Sequence, residues 1–85
     1  MEKKRIIELR GKAQQLRPTV QVGKDGMTPA IIDELSKQLK KNKLVKVKLL
    51  SSFEADRYES AERLANVSSS VLVEVRGKTV VLARD

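Results

Sequence analysis

The 85-residue chain reads as a mixed α/β (α+β) fold, with helices over a four-stranded mixed sheet in the order α-β-α-β-α-β-β. Three observations point there. Leu44–Leu50 alternates apolar and polar residues with a period of two. Val71–Val75 and Thr79–Ala83 are β-branched runs joined through Arg76-Gly77-Lys78, a hairpin signature. The remaining long segments repeat their apolar residues at three- and four-residue spacing, the period of a helix with one buried face. A chain of this size builds one small core, so residues 1–85 are expected to form a single domain.

Taken in order, Lys3 to about Leu16 forms the first helix. Ile6, Leu9, Ala13 and Leu16 share a face, and Arg5, Glu8, Lys12 and Gln15 take the polar side. Pro18 forces Arg17 into an extended conformation and stops it. Thr19–Val22 is a short strand with Val20 and Val22 on one face. The second helix runs from Pro29 to about Lys41 and buries Ile31, Ile32, Leu35 and Leu39. Leu44–Leu50 turns Val45, Val47 and Leu49 inward and Lys46 and Lys48 to solvent. Ser51-Ser52-Phe53-Glu54 matches a capping box and opens a third helix to about Asn66. Phe53, Ala61, Leu64 and Ala65 are its core candidates, with Tyr58 beside them; Glu54, Asp56, Glu59 and Glu62 make an acidic outer side. Two strand–helix–strand units and a closing hairpin give a mixed sheet, with the helices over one face in two layers. The strand order is not set by these patterns.

Charge is unevenly placed. Residues 1–50 hold 13 Lys/Arg against 5 Asp/Glu, whereas residues 51–85 hold 5 against 6. A basic half and a near-neutral half suit a face for a polyanion with a solvated back. Within the basic half, Val20-Gln21-Val22 runs through Gly23-Lys24-Asp25-Gly26-Met27 into Thr28 and Pro29. Gly23 and Gly26 free the backbone for positive φ or close approach. Thr28 offers an N-cap oxygen and Pro29 fits the first helical position. Unpaired N–H groups of the helix start then face the loop, a device suited to phosphate. The same glycines also serve a plain strand-to-helix turn. Lys12, Arg17, Lys37, Lys40, Lys41, Lys46 and Lys48 are further phosphate contacts, with Arg76 and Lys78 added if the hairpin turn reaches that face. Lys37, Lys40 and Lys41 also suit the helix C-terminus on dipole grounds alone.

Gln21-Val22-Gly23-Lys24-Asp25-Gly26-Met27-Thr28, the strand Leu44-Val45-Lys46-Val47-Lys48 and the ending Val75-Arg76-Gly77-Lys78-Thr79-Val80-Val81-Leu82 together resemble the CRM (chloroplast RNA splicing and ribosome maturation) domain, YhbY-like in its single-domain prokaryotic form. The resemblance spans nearly the whole chain. It implies a fold similar to the C-terminal domain of translation initiation factor three. It also implies an RNA-binding protein, since plant members serve group II intron splicing and prokaryotic ones accompany large-subunit precursors. Gly23, Lys24, Asp25, Gly26 and Thr28 then fall in the RNA-contacting loop, similar in logic to the loop with which KH domains clamp a nucleic-acid backbone. Where relatives often carry an aromatic before the last arginine, this chain has Ala83 before Arg84.

Other chemistries find little footing. With neither cysteine nor histidine, disulfides, thiolate metal sites and His-based triads are absent. Gly77-Lys78-Thr79 resembles the end of a phosphate-binding Walker loop, but Leu72 stands where its first glycine belongs and no helix follows. Phe53 and Tyr58 are the only aromatics, too few for a stacking platform. The expectation is a cytoplasmic, monomeric RNA binder of low sequence specificity, with no catalysis, cofactor, metal, small-molecule substrate or membrane contact. Its expected partner is ribosomal RNA or a large-subunit precursor. A tRNA- or DNA-binding factor, or a subunit docking an acidic protein, are the competing readings.

Overall fold

The computed structural model describes residues 1–84: α1 (Lys3–Ala13), β1 (Val20–Val22), α2 (Pro29–Asn42), β2 (Leu44–Leu49), α3 (Arg57–Val67), β3 (Val71–Arg76) and β4 (Thr79–Ala83). The element order is the expected one. The strands lie in the order β1-β2-β4-β3. β1 runs parallel to β2 with Val20 opposite Val47, and β4 is antiparallel to both β2 and β3.

Strand alternation decides what each face buries. On one face Val20, Val22, Val45, Val47, Leu49, Val80 and Leu82 pack against Leu35 and Leu39 of α2 and Ala61, Leu64 and Ala65 of α3. On the other, Val73, Val81 and Ala83 meet Leu9 and Ala13 of α1. The helices therefore do not share one face. α1 makes a third layer, which corrects the two-layer arrangement. The cause lies in β4, whose unbroken apolar run puts Val80 and Leu82 on one side and Val81 and Ala83 on the other, the pattern of a strand covered on both faces. A bulge at Val73 leaves that residue's carbonyl free of the ladder, and Arg10 Nε donates to it at 3.2 Å, tying α1 to β3.

Two helix boundaries differ from expectation. α1 ends at Ala13 rather than Leu16, because Lys46 Nζ reaches across and donates to the carbonyls of Ala13 (3.2 Å) and Leu16 (3.3 Å). The ammonium joins a last tight turn, in which the Leu16 N–H also donates to the Ala13 carbonyl at 3.0 Å. α3 opens at Arg57, not at Ser51. Its cap is Asp56, whose carboxylate accepts from the Glu59 N–H at 3.1 Å, the same spacing as the Ser51/Glu54 match but five residues later. Phe53 reaches the core from the preceding loop, and Tyr58 stands 55% exposed with the Arg57 guanidinium 5.0 Å from its ring centre.

Candidate nucleic-acid interface

The two glycines of the loop have different local reasons, backbone conformation at Gly26 and tight packing at Gly23. Gly26 has φ +72°, a conformation that costs an L-residue about 1–2 kcal/mol, and its N–H closes a turn onto the Gly23 carbonyl at 3.0 Å. At Gly23 a Cβ would stand 3.3 Å from both Leu50 Cδ1 and Ser52 Oγ, so any side chain there would require those two side chains to shift by a few tenths of an ångström. The turn leaves Lys24 and Asp25 exposed at its tip. The α2 start is more occupied than the sequence implied. Thr28 Oγ1 accepts from the Ile31 N–H at 3.2 Å, the Ile32 N–H goes to the Thr28 carbonyl, and Pro29 has none to offer. Of that first turn, only Ala30 keeps an N–H directed outward.

The densest positive charge lies elsewhere. Between α1, the α2–β2 junction and the end of β4 runs a groove of about 530 Å³, lined by Arg5, Lys12, Arg17, Lys43, Lys46 and Arg84. Leu9, Leu16 and Leu44 make its apolar part, with Thr19 and Asn42 at the side, and among the described residues no carboxylate lines it. Lys43 is set there by the left-handed turn that caps α2 (φ 62°), and Arg84 by its backbone N–H, which donates to the Lys43 carbonyl at 2.8 Å. With Lys12 and Arg17 exposed, the groove can attract an anionic chain.

Comparison with known proteins identifies the family. The model of the CRS1/YhbY (CRM) domain matches residues 1–84. The chain belongs to the CRM family. It is 39% identical over 77 residues to probable RNA-binding protein YqeI of Bacillus subtilis, covering 91% of this chain and 80% of that one. It is 41% identical over 78 residues to probable RNA-binding protein MJ0652 of Methanocaldococcus jannaschii, covering 89% of this chain and 58% of that longer protein. The solution structure of the hypothetical protein SAV1595 from Staphylococcus aureus, described as a candidate RNA binder, superposes with a TM-score of 0.86 at 32% identity, across all of this chain and 88% of that one.

Within this CRM fold the sequence-chosen cations separate into groups. Lys12, Arg17 and Lys46 meet in the groove. Lys46 is half-buried and held by two carbonyls, so it positions the α1 end rather than projecting to solvent as expected. Lys48 is exposed, as expected, on the same sheet face nearer the loop. Arg76 also lies on that face, in a depression shared with Lys46 and Glu74. Lys78 sits at the hairpin turn beside Phe53, Asp56 and Arg57. Lys41 borders a depression with Thr19 and Asn42, whereas Lys40 lines one with Val67 and Arg84. Lys37 pairs with Asp33 at 3.0 Å, and that hydrogen bond, then the carboxylate's charge, raises its pKa above the ordinary 10.5. Arg5, Lys43 and Arg84 are the groove residues that sequence reasoning missed. Their signal was positional: Lys43 precedes β2 and Arg84 follows β4, and these strands are neighbours with Leu44 opposite Ala83.

Proposed function

We propose that this CRM protein binds RNA, with the basic groove and the Gly23–Gly26 loop contacting the phosphate backbone, and that its RNA is ribosomal, during large-subunit assembly in the cytoplasm. The observation that carries the reading is a groove lined by six cations, in a fold whose relatives are named for RNA binding. Backbone contacts hold an RNA without reading its bases, so the larger RNA's shape supplies selectivity. The large-subunit assignment is supported by the family resemblance in the loop, the Lys-Val-Lys strand and the closing hairpin. The protein acts by binding, without catalysis.

The test is competition among large-subunit ribosomal RNA fragments, tRNA and duplex DNA for the purified protein at one salt concentration, joined to crosslinking and read mapping in cells. Preference for ribosomal fragments, with reads clustered on the large-subunit RNA, is expected. Equal or tighter binding of duplex DNA or tRNA would overturn the assignment, as would a cellular partner that survives nuclease treatment.

A further inference from the structure

Phosphate recognition needs charge, but it does not need an apolar surface among the charges. Leu16 is 40% exposed in the wall of the basic groove, with Leu9 and Leu44 of the smaller core also lining it. Its segment is held in place: the Lys46 ammonium bonds the carbonyls of Ala13 and Leu16, which fixes the stretch carrying both Leu16 and Arg17. Asn42 adds a side-chain amide able to donate and to accept at the same groove. The volume, about 530 Å³, falls in the range of sites that enclose a small organic ligand.

We propose that this groove seats one unstacked nucleoside of the bound RNA, its base against Leu16 and Leu44 and its flanking phosphates on the cationic rim. The proposal rests on the RNA reading above and deepens it. Single-stranded bases are commonly held on aromatic rings or guanidinium planes. Neither Phe53 nor Tyr58 lines this groove, so the base here lies on leucine, with the guanidinium groups of Arg17 and Arg84 at the rim. Aliphatic contact tolerates any base, which makes the seat a detector of unpaired nucleotides rather than of sequence. A duplex, whose bases are stacked inward, cannot fill it.

Two oligomers of equal charge test this: an oligoadenylate of about ten residues and a ribose-phosphate oligomer of the same length without bases. The native protein is expected to bind the first about tenfold tighter, in line with a single well-held base. Leu16→Ser should shrink that preference to about twofold or less and be rescued by Leu16→Met. Equal affinity of the native protein for both oligomers would overturn the proposal, as would a preference that survives Leu16→Ser. A second measurement on the native protein needs no variant. The methyl resonances of Leu16 and Leu44 should shift with adenosine monophosphate and stay in place with ribose 5-phosphate; unmoved methyls in both titrations would overturn the seat. If neither oligomer binds, the RNA reading itself falls, and the seat with it.

Discussion

α2 joins two ends of the molecule that differ in kind. At its start lies a glycine turn with one exposed lysine beside one exposed aspartate; at its finish, about 21 Å away by helical rise, lies a groove lined by six cations and, among the described residues, no acid. Gly26 of the turn is accounted for by its positive φ, and Gly23 by tight packing against Leu50 and Ser52. Among the groove's cations, Lys12 and Arg17 have no ion-pair partner among the described residues, while Arg5 shares an exposed pair with Glu8 at 3.5 Å. The conspicuous motif is thus the electrostatically poorer site. A motif is visible because its residues are consecutive, whereas charge density is a property of the folded surface.

The sharpest way to break this contrast is charge reversal at the rich end. Lys12→Glu combined with Arg17→Glu should weaken binding of single-stranded RNA about a hundredfold at low salt and flatten its salt dependence. For about five phosphate contacts, the native slope of log affinity against log salt is expected near −3.5, and the double variant near −2. Melting should be little changed, since both side chains are exposed. At the poorer end, Lys24→Asp should cost about tenfold, because it removes one phosphate contact and adds repulsion. Its fold should survive, as an acid before a helix start is tolerated or mildly stabilising. A Lys24 variant weaker than the double groove variant would reverse the ranking of the two ends.

Gly26→Ala separates geometry from contact. With φ at +72° it should lower stability by about 1 kcal/mol, a melting shift of about 4–8 °C, while the fraction still folded binds RNA within about twofold of native. A large affinity loss without a melting shift would mean that the glycine is there for the ligand. The smallest effect belongs to Lys37→Ala. Its ammonium already pairs with Asp33 and lies outside both ends, so affinity should change by about twofold or less and thermal melting should not move measurably. Its raised pKa makes a stabilising contribution present below the ordinary lysine pKa and lost as pH rises above it. Between pH 6 and 9, therefore, the Lys37 variant and the native protein should show parallel stability profiles.

These ends were unequally legible in the sequence. Residues that act through their neighbours were plain: the Thr28 cap, the Pro29 start, the Gly77 turn and the Val-x-Val-x-Leu alternation of β2 all stand where their local chemistry puts them. The α3 start was misread because Ser51-x-x-Glu54 and Asp56-x-x-Glu59 offer the same cap. The positions of Ala61, Leu64 and Ala65 against the sheet, which only tertiary packing fixes, favour the second. Lys46 was misread because alternation gives a side, not what covers that side, and α1 lies across it. The groove draws on α1 and its following loop, the α2–β2 junction and the end of β4, so it could not be assembled without the strand order.

That strand order also bears on how the protein comes into being. β4 is the last of the four strands in sequence order, yet it sits between β2 and β3 and contributes to both core clusters. Until Thr79–Ala83 emerges from the ribosome, β2 and β3 have no common partner, and neither cluster can close. The nascent chain therefore holds two incomplete halves until β4 arrives and completes both cores together. Because Arg84 follows directly, the groove acquires its last cation at that same moment. A half-made chain thus has no finished groove with which to hold an RNA.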